Sequence, residues 1–480
     1  MSNPHPSHEK KTANARRHGA GRRTAHGAGR GRDADGETPA LIEGLAARQA
    51  AAAMLSAVVD HRQNLEALPG APGNPLARFA LDARDHALAN AVVRSALRHR
   101  GALSAMVAAM LERPLPERAK SVHHILHVAL AQMLFLRVPE SAAVNIAVEA
   151  ARADAQARRF APLVNALLRR AGREGEAAFL DAQAVAVDVP DWLFDALSID
   201  HGAEQARDML AVNRTEAAID LTVKDDPEGW AEKLGGIMLP TGTVRVAGIE
   251  APIPEWPGYD DGAWWVQDAA AALPARMLGD VRGMDVADIC AAPGGKTAQL
   301  ALAGANVTAF DISKARLARL QENMARLGFG VAIEAGDARR HRPARPYGAV
   351  LLDAPCSSTG TLRRHPDVAW AKTPEDVANL VRVQNQLLDA AFAMLKPGGL
   401  LVVANCSLLK AEGETLVSQW LERTPDAEPV PVTAERDGAA LAALADARGF
   451  MRTTPLAMPH ENPRLAGMDG FFAARVTRRG

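Results

Sequence analysis

From about residue 268 onward the chain alternates short apolar runs with helix-like stretches, a pattern that few folds accommodate. "MDVADICA", "NVTAFD", "YGAVLLDA" and "GLLVVANCS" each end in a polar or reactive residue, and helical stretches such as 314–327 and 376–395 lie between them. Apolar strands alternating with helices predict a mostly parallel sheet covered on both faces. Ligands of such sheets collect at the carboxyl ends of the strands, so the residues at those ends are the candidates for function.

Upstream the periodicity is helical. "FAPLVNALLRR" places Phe160, Leu163, Val164, Leu167 and Leu168 on one apolar stripe. "SVHHILHVALAQMLFLRVPE" is apolar on nearly every side, which predicts a buried central helix stopped near Pro139. A chain of 480 residues has room for several cores. The expected fold is multidomain: a basic tail at 1–39, an all-α helical bundle at 40–178, a small α/β connector at 179–266, and a doubly wound, Rossmann-like α/β domain at 267–480. Residues 1–32 hold eight Lys and Arg against one acidic residue, in a chain whose net charge is −1. That composition predicts a disordered segment, either an RNA-binding arm or a solvated extension.

Composition excludes several classes. No apolar run reaches the ~20 residues a membrane span needs, and no signal-peptide core precedes the helices, so a cytoplasmic location is expected and no membrane partner. The three cysteines, Cys290, Cys356 and Cys406, form no C-x-x-C pair. A disulfide framework and a zinc ribbon are both disfavoured, and no metal is expected.

The loop "DICAAPGGKTAQLA" at 288–301 resembles a phosphate-binding loop but departs from it. Aligning Gly295-Lys296-Thr297 with that motif puts Cys290 at its first glycine, so the tight turn is expected to be lost and triphosphate hydrolysis disfavoured. What remains is a strand, small residues and a helix start, suited to close backbone approach and to a carboxylate. Asp311 ends the next strand, where a carboxylate binds ribose hydroxyls, and Asp337 follows the third, where one meets an adenine amine. A ribose, an adenine and an amino-acid end together describe S-adenosylmethionine.

"LLDAPCSSTG" and "VVANCSLL" end the fourth and fifth strands, which would place Cys356 and Cys406 face to face beside that ligand. Such thiols suit cytosine chemistry. Carbon 5 of cytosine accepts a methyl group only after a thiolate adds to carbon 6 and converts the ring to an enamine. A base then removes the carbon-5 proton, and a carboxylate such as Asp353 stabilises the charge change at the ring nitrogen. Only thiolate reacts, so one cysteine pKa has to fall from its ordinary ~8.5. The residues alone do not rank the two thiols.

"DICAAPGGKT", "FDIS", "GDAR", "LLDAPCSSTGTLRRHPDVAW", "LKPGGLLVVANCS" and "MDGFFAARV" resemble the successive motifs of RNA cytosine-5 methyltransferases of the NOL/Sun class. "AVNIAVEAAR" and "VNALLRR" resemble the NusB-like RNA-binding domain. The resemblance implies a class I S-adenosylmethionine-dependent methyltransferase domain behind a NusB-like bundle, the arrangement of bacterial enzymes acting on 16S ribosomal RNA, free or partly assembled. It implies that Cys290, Ala291, Ala292, Pro293, Gly294, Gly295 and Lys296 form the cofactor loop, completed by Asp311, Asp337 and Asp353. It makes Cys406 the nucleophile and Cys356 the cysteine that assists product release. A transfer RNA methyltransferase and a catalytically decayed RNA-binding or antitermination factor are the alternatives. Asn405, Ala404 and Val403 depart from the family pattern before the nucleophile, as do Thr222 and Lys224 in the connector. Local RNA contacts are expected at Arg363 and Arg364, at Arg158, Arg159, Arg169 and Arg170, and at Trp264, Trp265 and Trp370.

Overall fold

The computed structural model describes residues 43–480 apart from 72–73 and 250. The basic segment expected at 1–39 lies outside the described residues. Helices Leu45–Val59, Ala83–Arg98, Arg100–Met110, Lys120–Leu134, Glu140–Ala153 and Ala161–Val185 build the amino-terminal bundle. The 3.6-residue stripe does what its spacing requires: Val164, Leu167, Leu168 and Ala171 are buried in the bundle core. Every residue from His124 to Gln132 is buried, so Lys120–Leu134 is surrounded on all sides by its neighbours.

The helix Ala161–Val185 runs through the expected boundary at 178, bent where Gly175 leaves helical geometry (φ 64°, ψ −151°). Two further helices, Asp191–His201 and Ala203–Val212, pack Leu193, Leu197, Met209 and Leu210 against Leu362, Val368, Leu408 and Leu409. The connector therefore begins as helix and shares a core with the carboxyl-terminal region.

Strands β1 (Ile219–Val223), β2 (Ile237–Met238), β3 (Val244–Val246) and β4 (Trp264–Val266) form an antiparallel sheet in the order β2-β3-β1-β4. Trp264 and Trp265 are buried in it, with indole N–H groups donating to the Pro257 carbonyl and to Gln267 Oε1, each at 2.9 Å. They are core residues, not platforms for unpaired bases. Thr222 donates to Gln267 Oε1 at 2.8 Å, and Lys224 Nζ to the Leu327 carbonyl at 2.7 Å. The two departures in the connector thus serve internal packing.

The large sheet holds β5 (Asp285–Ile289), β6 (Asn306–Asp311), β7 (Ala332–Ala335), β8 (Tyr347–Asp353), β9 (Leu395–Asn405), β10 (Ala427–Pro429), β11 (Met451–Thr453) and β12 (Phe471–Arg478). Its order is β10-β12-β9-β8-β5-β6-β7, with β11 paired to β12. Strands β5 to β9 are parallel, and β12 lies antiparallel beside β9. Ala287, Ile289, Val350, Leu352 and Leu401 are fully or almost fully buried, as strands covered on both faces demand. The chain proceeds from β5 toward β7 on one side and from β8 toward β9 on the other. The order therefore reverses between β5 and β8, which makes their carboxyl ends the natural ligand crevice.

Candidate active site

At the end of β5 the chain turns through Cys290, whose φ is 63°. The expectation that the tight turn is lost without glycine is overturned, because the cysteine itself adopts the left-handed conformation that glycine adopts freely. A cis Ala292–Pro293 bond follows, then Gly294 at φ 106°, and the helix Gly295–Leu302 begins. A Cβ on Gly294 would stand 3.1 Å from both Leu320 Cγ and Met324 Cε, so the loop is closely backed. Asn323 Nδ2 donates to the Pro293 carbonyl at 3.0 Å, and Arg316 donates to the Ala292 carbonyl. Burial, reinforced by Asp353 and Asp311, pushes the Cys290 thiol up to about 12, away from the thiolate form that nucleophilic chemistry needs.

Behind the loop Asp288 is fully buried, with one oxygen accepting from Thr297 Oγ1 at 2.6 Å and the other without a partner. Burial raises its pKa to about 7 despite that hydrogen bond. Lys296 reaches from the first turn of the helix to Asp353 Oδ2 at 2.8 Å, joining the β5 loop to the end of β8. Asp311 is buried at the end of β6 with Oδ1 accepting from the Ser313 N–H at 2.9 Å. Its Oδ2 has no hydrogen bond, although Arg316 Nη1 lies 3.4 Å away. A buried carboxylate oxygen left free is the group a ribose hydroxyl would satisfy. The residues present thus fit an adenosyl cofactor at Asp311. Asp337 differs: Arg339 grips both of its oxygens (Nε at 2.9 and 3.1 Å, Nη2 at 2.7 Å), which lowers its pKa. An adenine amine would have to share that carboxylate with the guanidinium.

The two remaining cysteines meet. β8 and β9 are hydrogen-bonded neighbours, with Asp353 paired to Ala404, and the Cys356 and Cys406 sulfurs lie 3.5 Å apart. The hydrogen bond between them separates the pair. The contact pushes the thiol of Cys356 well above its ordinary range and lowers that of Cys406, with Ser358 adding to the lowering. Asn405, the departure beside the nucleophile position, is a brace. Its Nδ2 donates to the Glu412 carbonyl at 2.7 Å, and its Oδ1 accepts from the Ser407 N–H at 3.0 Å.

Sequence reasoning missed the groups that support these. Asp288, Thr297, Ser358 and Glu412 all touch the site's frame, and only their neighbourhood to quoted motifs could have drawn attention to them. Two expected RNA contacts are corrected. Arg363 is buried, and Arg364 is ion-paired with the buried Asp469 (Nε to Oδ2, 2.9 Å). Trp370 is partly buried against the bundle, with the Arg100 guanidinium 5.3 Å from its ring centroid. Arg158, Arg159, Arg169 and Arg170 are exposed. Among the described residues no group of acidic, His and Cys side chains is arranged to hold a metal ion, and no helix is long and apolar enough to cross a membrane.

A mixed sheet reversing its order at a glycine-rich loop, with acids and paired thiols on its carboxyl edge, is the Rossmann-like methyltransferase fold. Residues 276–477 match the family described as 16S rRNA methyltransferase RsmB/F, and residues 45–173 match the NusB family. The chain is 36% identical over 403 residues to ribosomal RNA small subunit methyltransferase B of Vibrio cholerae, covering 80% of this chain and 91% of that protein. It is 35% identical over 410 residues to the protein of that name from Vibrio vulnificus, covering 82% and 94%. The solved structure described as PH0851 shares the fold with a TM-score of 0.65 at 21% identity, covering 90% of this chain and 99% of that one. The chain belongs to the ribosomal RNA small subunit methyltransferase B family.

Proposed function

We propose that this chain methylates carbon 5 of a cytosine in small-subunit (16S) ribosomal RNA, free or partly assembled, using S-adenosylmethionine and covalent addition of Cys406. The observation that carries the reading is the pair of thiols 3.5 Å apart at the ends of adjacent parallel strands, beside the Cys290–Lys296 loop. Family membership supports the ribosomal substrate.

The residues from Cys290 to Lys296 would hold the cofactor's amino-acid end and Asp311 its ribose, with Asp337 at the adenine side. When bound, the cofactor supplies an electrophilic methyl group on a sulfonium. Cys406 is the sulfur given thiolate character in this reading, because its hydrogen bond with Cys356 lowers its pKa. Its attack on carbon 6 places electron density on carbon 5. Asp353, held by Lys296 and still partly exposed, stabilises the charge change at the ring nitrogen. Once Cys406 is bonded to the base, Cys356 no longer shares a hydrogen bond with a free sulfur; after its own proton passes to solvent it can accept the carbon-5 proton, and the electrons of that C–H bond then expel Cys406 as thiolate. The cytosine has to be unpaired or flipped out for any of this to occur.

Labelled S-adenosylmethionine and undermethylated 16S RNA test the reading. Label is expected at carbon 5 of one cytosine with the wild type and none with Cys406→Ala; Cys356→Ala is expected to accumulate a covalent protein–RNA adduct. No label from the wild type, or normal turnover by Cys406→Ala, overturns the assignment. Label in transfer RNA alone would move the substrate.

A further inference from the structure

One buried carboxylate outside the reacting set touches both thiol-bearing loops. Glu412 lies in the short 3-10 turn Lys410–Glu412 and is completely buried. Its Oε1 accepts from the Ser357 N–H at 2.9 Å and from Gln384 Nε2 at 3.0 Å. Its Oε2 accepts from Ser357 Oγ at 2.5 Å and from Ser407 Oγ at 2.6 Å. Ser357 and Ser407 directly follow Cys356 and Cys406 in the chain. Gln384 also donates to the Pro355 carbonyl at 2.8 Å, and the Glu412 carbonyl holds Asn405. The residues that follow the two cysteines, Ser357 and Ser407, are tied to this one side chain; Pro355 is tied to Gln384, which that side chain fixes, and Asn405 to the Glu412 main chain.

The geometry points to Glu412 as the positioning residue that sets the separation of the two thiols. A buried carboxylate accepting four hydrogen bonds is a rigid node, because charge-assisted hydrogen bonds are short and strong and are stronger still in a low dielectric. The hydroxyls of Ser357 and Ser407 are 3.2 Å apart across it, and the sulfurs one residue back are 3.5 Å apart. Removing the node frees the Cys356 loop to move relative to β9. The S–H···S contact then lengthens, and Cys406 loses the donor that favours its thiolate. The role rests on the reading that Cys406 attacks, since only that reading gives the spacing a chemical purpose.

The sign of the effect separates positioning from charge. As a charge, Glu412 raises the Cys356 pKa, so its neutralisation alone would ease ionisation of Cys356 and give no reason for the Cys406 midpoint to rise. As a positioning residue, its loss makes Cys406 less reactive. The test is the pH profile of Cys406 alkylation by iodoacetamide, read by mass spectrometry on the full chain, in wild type and Glu412→Gln. The alkylation midpoint is expected to rise by about one unit, a roughly tenfold slower reaction near pH 7. Transfer should show a kcat at least about tenfold lower, with KM for RNA and cofactor within about twofold.

A folded Glu412→Gln protein whose midpoint is unmoved or lowered overturns the proposal. Should that variant not fold, Ser357→Ala and Ser407→Ala each remove one arm of the node. Both are expected to raise the midpoint, and failure of both to do so is equally decisive. Alkylation needs no RNA, so the outcomes stay distinct. Transfer by Cys406→Ala would sink the nucleophile assignment whatever Glu412 does, whereas an unmoved midpoint sinks only the role of Glu412.

Discussion

Asp288 illustrates how a single residue can be plain in sequence and hidden in role. It stands at the head of the loop motif, yet nothing in the letters says that its side chain points into the protein, where it finds one hydroxyl and no other partner. Its folded pKa, about 7, lies above the ordinary carboxylate value because burial disfavours the charge. A raised folded pKa gives a stabilisation that is complete below the unfolded value, near pH 4, and is lost as pH climbs through about 7. Asp288→Asn keeps an acceptor for Thr297 and cannot ionise. The wild type is therefore expected to fall behind this variant by a few kcal/mol between pH 5 and pH 8. Urea unfolding of both proteins at the two pH values reads the difference, and an unchanged gap would refute it. Cys290 makes the same point about backbone: its side chain says nothing about φ, so the sequence could place the residue in the turn but not foresee that a cysteine would hold it.

At the scale of elements, the parallel strands were legible because their pattern is local. Each is a run of apolar residues with a polar end, and β5, β6, β8 and β9 fall on the quoted runs. Two antiparallel strands of the small sheet, β1 and β3, were also visible as short apolar runs, "AIDLTVK" and "TVRVAGI", but the place of β12 was not, because β12 is defined by whom it pairs with, and "FFAARV" carries no sign that it lies beside β9. That pairing matters to the site. Gly360, in the loop that carries Cys356, donates its N–H to the Cys406 carbonyl at 2.9 Å and accepts from the Gly470 N–H at 2.8 Å, just before β12. A Cβ on Gly360 would sit 1.9 Å from the Gly470 carbonyl oxygen, which is backbone and cannot swing aside. Gly360→Ala is expected to lower stability by about 2 kcal/mol and to displace the Cys356 loop. Transfer should fall far more steeply than cofactor affinity, which depends on the β5 and β6 ends. Calorimetric cofactor titration beside a transfer assay checks this; equal losses in both would mean that the damage is global.

Across the whole molecule the bundle does more than append a helical domain. Arg98, at the end of Ala83–Arg98, donates through Nη1 to the carbonyls of Arg363 at 2.7 Å and Asn213 at 3.1 Å. Arg94 reaches the Arg364 carbonyl at 2.8 Å, and the Leu65 N–H donates to Asp367 at 3.0 Å. The segment that follows the Cys356 loop is thus held from the bundle through two of its carbonyls and the Asp367 side chain. This is why Arg363 and Arg364 misled the sequence reading: a pair of arginines after a catalytic motif has the composition of an RNA contact, but their carbonyls are bonded from one side and their side chains are packed or paired from the other. Charge in a sequence does not reveal which way it faces, whereas the exposed Arg158, Arg159, Arg169 and Arg170 have no such burial. Arg98→Met preserves the apolar stem of a buried arginine, whose pKa burial lowers to about 10, and removes every donor. Three carbonyls, those of Asn213, Thr215 and Arg363, then lose a partner, a loss on the order of 2 kcal/mol. Hydrogen exchange is expected to quicken across residues 360–372 while Lys120–Leu134 stays protected, because the bundle core does not depend on Arg98. Transfer should slow in parallel with that loosening. If exchange in 360–372 is unchanged while transfer falls, the bundle acts on RNA alone and does not brace the catalytic loop.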